Sequence, residues 1–166
     1  MKTIRRNTFE TNSSSTHAIS IPMKKRERFN QRLRVYAHIG EFGWEYTNYK
    51  PCLDYLYTAI LCNYPDSYED YLQEIEKIAD KYNIEIIWDV AEFYVSESSA
   101  SKWLENGYID HDYELKDFIK EVMADETLII NAILDGEVAT GNDNDGDDVW
   151  TETEEGVKYY DYYKGN

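Results

Sequence analysis

Between residues 16 and 21, His17, Ile19 and Ile21 alternate with Ala18 and Ser20, which is the two-residue period of a strand. Pro22 has no amide to donate to a ladder and closes the run. Over residues 23–39 the spacing of Phe29, Leu33 and Tyr36 among basic residues predicts a basic amphipathic helix. Pro51 suits the first position of a helix through Leu53, Leu56, Tyr57, Ile60 and Leu61. The clearest helical period follows Asp66, which can cap while Glu69 reaches back, and it places Tyr68, Tyr71, Leu72, Ile75, Ile78, Ala79 and Tyr82 on one face. Branched and aromatic residues at 84–90 and 93–95 predict strands. Ser98 or Ser99 is placed to cap a short helix through Trp103 and Leu104 that stops at Gly107. Asp112 opens another helix with Tyr113, Leu115, Phe118, Ile119, Val122 and Met123 on its apolar side. Residues 128–134 are apolar but too short to assign by pattern, and residues 157–163 form a closing aromatic strand. The expected class is α+β, a helix-rich domain with a small, mainly antiparallel sheet.

Length and composition make that expectation a single folded unit spanning residues 1–166, because 166 residues with 42% hydrophobic content can bury one core. There is no internal repeat and no linker, since Pro22, Pro51 and Pro65 are scattered through the first half. Cys52 and Cys62 fall ten residues apart in one predicted helix, beyond disulfide reach, and are read as buried thiols. The opening Met-Lys-Thr-Ile-Arg-Arg leads into polar residues, and no apolar run approaches membrane-spanning length. A soluble cytoplasmic protein without a membrane partner is expected.

Charge changes the picture more than composition does. The formal net charge is −16, yet residues 1–36 hold nine Lys and Arg against two acids, so the remainder, 37–166, carries −23. Residues 106–166 alone set seventeen acids against four lysines. Duplex DNA is also a dense line of negative charge that proteins hold in Lys/Arg grooves, and an acidic face can occupy such a groove. The expected partner-binding set is Asp143, Asp145, Asp147, Asp148, Glu152, Glu154 and Glu155, with Tyr159, Tyr160 and Tyr162 adding rigid contact area. Direct binding to nucleic acid is not expected from so negative a chain, and a solvated acidic surface without a partner is the plainer alternative.

The segment preceding the first strand is the other place where chemistry can reside. Arg5, Arg6, Asn12, Ser13, Ser14, Ser15, Thr16 and His17 crowd hydroxyls, an amide, guanidiniums and an imidazole into a short stretch. A serine becomes a nucleophile when an oriented histidine takes its proton, and the same groups can instead bind a phosphate. They can equally bond their own backbone and shape a turn. Gly141-Asn142-Asp143-Asn144-Asp145-Gly146-Asp147-Asp148 has the oxygen density of a calcium loop but fits its ligand spacing poorly, and His17, His38 and His111 are too scattered for zinc. No cofactor or metal is therefore assigned.

Arg5-Arg6-Asn7 followed by Phe9-Glu10-Thr11-Asn12-Ser13-Ser14-Ser15-Thr16-His17 resembles the opening of a family of small, mostly uncharacterised bacteriophage and prophage proteins. Thr140-Gly141-Asn142-Asp143 and the closing Tyr162-Tyr163-Lys164-Gly165-Asn166 are similar to that family's tail. The resemblance covers the two ends of the chain and brings no catalytic residues with it. It implies a viral or mobile-element origin. Because small acidic phage proteins often inhibit host defence, the expected function is an anti-CRISPR-type inhibitor of a host nuclease complex, acting in the cytoplasm of the infected bacterium. An enzyme or phosphate-binding protein built on the Arg5 to His17 segment is the alternative expectation.

Overall fold

The computed structural model describes residues 15–43, 47–110, 115–142 and 157–163. The period-two run of the first strand becomes the middle of the largest sheet. β1 (Ser15–Pro22) pairs antiparallel on one side with β9 (Glu137–Asn142) and on the other with β10 (Val157–Tyr163), and β4 (Thr47–Pro51) extends the sheet beyond β9. His17, Ile19 and Ile21 are all buried, as the alternation requires. Ala18 is buried too, directly across from Ala139, where two small side chains share the other face.

The described residues include four helices, which pack on one another and against the strands. α1 (Cys52–Asn63) is apolar on all sides, and residues 52–61 are all buried, the behaviour of a helix running through a core. Its first amide, that of Cys52, donates to Gly136 O at 2.8 Å, and Pro51 stands outside the helix in an extended conformation as the cap residue. Tyr55 gathers Phe42 and Phe118 edge-on, at 4.9 and 5.6 Å between ring centroids. α2 (Tyr68–Lys81) buries Ile75, Ile78 and Ala79 on the predicted face. α3 (Leu115–Met123) buries Leu115, Phe118, Ile119 and Val122, and α4 (Glu126–Leu134) buries residues 128–133, which settles the apolar run as helix. Asp125 caps α4, accepting from the amides of Thr127 at 2.8 Å and Leu128 at 3.4 Å. The architecture is α+β.

Several expectations are corrected. Residues 23–39 form no helix. Lys24, Arg28 and Arg32 would stack like charges at four-residue spacing on a helix, and residues 23–32 instead run as an irregular strap with a bend at Asn30 and Gln31. The rest is β2 (Leu33–Ala37), which pairs parallel with β5 (Ile84–Trp88) and directs Val35 and Ala37 inward beside Ile84 and Ile86. A second parallel pair joins β3 (Glu41–Phe42) to β8 (Tyr108–Ile109), so the antiparallel pairing is that of the main sheet and of one separate two-stranded hairpin. Asp66 caps nothing: α2 starts at Tyr68 after Ser67, without a side-chain cap, and the Asp66 carboxylate lies 4.0 Å from Lys102 Nζ. The predicted helix at residues 98–104 is replaced by a hairpin of β6 (Phe93–Val95) and β7 (Lys102–Leu104), closed by a turn in which Ala100 adopts a left-handed φ of 54°. Cys52 is buried but Cys62 is only half-buried, and both are free thiols.

Candidate functional site

The described residues place the last three members of the N-terminal constellation, Ser15, Thr16 and His17, on β1. Arg5, Arg6, Asn12, Ser13 and Ser14 lie outside the described residues, while Ser15 and Thr16 take up β1 positions opposite Asn142 and Gly141. His17 retains 1% of its exposure, its Nδ1 hydrogen-bonds Tyr55 Oη at 2.7 Å, and the two rings meet edge to face. An imidazole in that position joins β1 to α1 inside the core and is closed to solvent.

Of the acidic set, Asp143, Asp145, Asp147, Asp148, Glu152, Glu154 and Glu155 also lie outside the described residues. Tyr159, Tyr160 and Tyr162 are on β10, at register positions opposite Ser20, Ile19 and His17. The flanking strands are informative: β9 leaves the sheet beside Ser15 and β10 enters it beside Pro22, so the acid-rich connection joins opposite ends of β1.

The basic segment has a structural use that its sequence does not advertise. Arg26 donates from Nε to Asn131 Oδ1 at 2.7 Å and from a terminal guanidinium nitrogen to Asp135 Oδ2. Asn131, buried in α4, returns its amide to Lys24 O and Thr127 O, both at 2.8 Å, so the side chain is fully used. Arg28 donates to Asp80 O and Lys81 O at 2.7 and 2.9 Å, meeting the negative end of α2. Arg32 reaches Asp80 at 2.6 Å and Arg34 reaches Glu85 at 2.9 Å. The Arg32 guanidinium holds the Asp80 carboxyl below its ordinary value. Arg26, Arg28 and Arg32 of the strap, with Arg34 on β2, are thus committed to Asp135, a helix end, Asp80 and Glu85.

Many carboxylates remain without an ion pair among the described residues, including Glu41, Glu69, Asp70, Glu92, Glu97, Glu105, Asp117 and Glu137. They sit on several elements. Three of them belong to the β6–β7 hairpin, which also exposes two large aromatic side chains. Tyr94 and Trp103 are directly opposite one another and keep 51% and 54% of their exposure. Sequence reasoning missed this face because it placed Trp103 on a helix. The signal was present in two three-residue aromatic runs, Phe-Tyr-Val and Lys-Trp-Leu, separated by a serine-rich stretch.

Other chemistry is sparse. His38 Nδ1 lies 3.3 Å from Asp89 Oδ2, which also accepts the Ile39 amide at 3.0 Å. That dyad is exposed, and its neighbours include the Tyr57 hydroxyl, which donates to Asp89 O at 2.6 Å, and the Tyr36 ring, which stacks on His38. A groove of about 500 Å³ between α2 and α3 is lined by Tyr64, Tyr71, Lys116, Lys120 and Met123. Among the described residues no group of three or more His, Cys, Asp or Glu side chains is placed to hold a metal ion, and no helix is long and apolar enough to cross a membrane. No protein-family model matches the chain, and neither a curated protein nor a solved structure is similar enough to count as a match.

Proposed function

We propose that this protein is a phage-encoded inhibitor of a host defence nuclease, of the anti-CRISPR type, which blocks a basic nucleic-acid-binding groove with an acidic, tyrosine-rich surface and catalyses no reaction. The observation that carries the reading is that Glu41, Glu69, Asp70, Glu92, Glu97, Glu105, Asp117 and Glu137 are exposed and have no ion pair among the described residues, while Arg26, Arg28, Arg32 and Arg34 are engaged by Asp135, the end of α2, Asp80 and Glu85. A field of that sign steers the protein toward cationic grooves and away from nucleic acid. The partner is then a nucleic-acid-binding protein or nuclease complex in the cytoplasm of the infected bacterium.

The test is affinity capture of host proteins by the full chain, repeated as salt is raised and with Asp143, Asp145, Asp147 and Asp148 changed to Asn. A nuclease subunit is expected at low salt, with recovery falling at least about tenfold between ~50 and ~300 mM salt and in the substituted chain. Capture of no nucleic-acid-binding protein, or capture indifferent to salt, overturns the proposal.

A further inference from the structure

We infer that the outward face of the β6–β7 hairpin is a docking surface for an arginine-bearing segment of a partner protein. The register defines that face. Phe93 pairs with Leu104 and packs inward on the core, so the alternate pair, Tyr94 and Trp103, points the other way. One pair further out, the Glu105 amide donates to Glu92 O at 2.7 Å, which sets two carboxylates opposite each other beside the rings. At the far end the Ser96 amide donates to Ser101 O at 2.9 Å, and Glu97 follows in the turn. Like charges directly opposite on a sheet are destabilising, and neither Glu92 nor Glu105 has a cation beside it among the described residues. The hairpin's one basic residue is withdrawn from this face: Lys102 Nζ lies 4.6 Å from the Phe93 ring centroid and donates to Pro65 O at 3.2 Å.

Exposed aromatic area flanked by the Glu92 and Glu105 carboxylates selects a cation with a flat, weakly hydrated face. Guanidinium meets both demands, stacking on an indole or phenol ring while its edge takes a carboxylate in a bidentate pair, whereas an ammonium offers only a point charge. The other occupants of an aromatic face fit less well. Anionic lipid and nucleic acid are repelled by the three glutamates, and a two-fold contact with a second copy would bring the same carboxylates together. The platform is also tied at its base. Asn106 clasps its base, accepting from the Glu92 amide at 3.0 Å and donating to Val90 O at 2.9 Å, so little order has to be gained on binding. The inference stands on the hairpin alone and holds whatever protein carries the arginines.

The experiment titrates the full chain with a nona-arginine peptide and, in parallel, a nona-lysine peptide, by calorimetry at ~150 mM salt. Both peptides feel the general negative field, so the readout is the preference between them. The parent is expected to bind the arginine peptide about tenfold more tightly than the lysine peptide. Trp103→Ala should abolish that preference. The double substitution E92Q/E105Q should weaken both peptides several-fold more than E69Q/E137Q, which removes the same charge elsewhere. Equal affinity of the parent for the two peptides overturns the inference, as does a hairpin glutamine pair that behaves like the control pair. Failure of the nuclease capture described above with arginine preference intact would remove the proposed target and leave this surface standing.

Discussion

Asp54 shows how a single buried side chain sets a pH dependence. Its Oδ1 accepts the His38 amide at 2.9 Å, yet burial pushes the carboxyl above its ordinary value of 3.8 and outweighs the opposing pull of that hydrogen bond. A carboxyl raised in the folded state favours folding while it is protonated. Its contribution is complete below 3.8 and is lost as pH rises through the folded-state value. Asp80 and Glu126 have the opposite sign. Arg32 in one case and Lys81 with Tyr82 in the other hold them below their ordinary values, so their contribution exists above 3.8 and 4.5 and is lost as pH falls. Asp54→Asn keeps the acceptor for His38 and removes the buried charge. Urea denaturation at pH 4, 5, 6 and 7 should therefore show a variant no less stable than the parent at pH 7, with a shallower decline over the range above pH 4. A steeper decline in the variant would contradict this account.

At the scale of elements, what was legible from sequence followed from how local the cause was. The alternation of His17, Ile19 and Ile21 and the stripe of Ile75, Ile78 and Ala79 need only a period and one covered side, and both appear where they were read. The strap was illegible because its partners, Asn131 and Asp135 on one side and Asp80 on the other, lie about 50 to 110 positions away. Of the hairpin, β6 appears where a strand was read at 93–95, whereas β7 was illegible for another reason, since three residues carry too little alternation to outweigh a serine that resembles a cap. Capping separates the two kinds of cause in a measurable way. Asp125 bonds the amides at the start of α4, whereas Asp66 bonds none at the start of α2. Asp125→Ala should cost about 1 kcal/mol of unfolding free energy, and Asp66→Ala should stay within about 0.5 kcal/mol of the parent, because its contact with Lys102 is long and exposed. Equal losses in chemical denaturation would restore Asp66 as a cap.

For the whole molecule, the charge surplus could be counted in the sequence but its distribution could not. Of the nine cations in the first 36 residues, Arg26, Arg28, Arg32 and Arg34 are folded against acids and the end of α2. The candidate surface was legible to the same degree: its sign was readable, while the aromatic pair at Tyr94 and Trp103 depended on a register that only folding supplies. Two electrostatic effects then compete in the native state. The strap pairs favour folding and are weakened by salt, whereas repulsion within a net charge of −16 opposes folding and is also weakened by salt. The pairs at Asp80 and Glu85 are exposed, and pairs of that kind contribute little, so the repulsion is the larger effect. Raising sodium chloride from ~10 to ~150 mM should therefore increase the melting temperature, by about 2–4 °C for each kcal/mol of repulsion relieved. A fall over the same range would mean that the strap contacts outweigh the repulsion, and that the acidic surface is less crowded than the proposed docking to a basic groove requires.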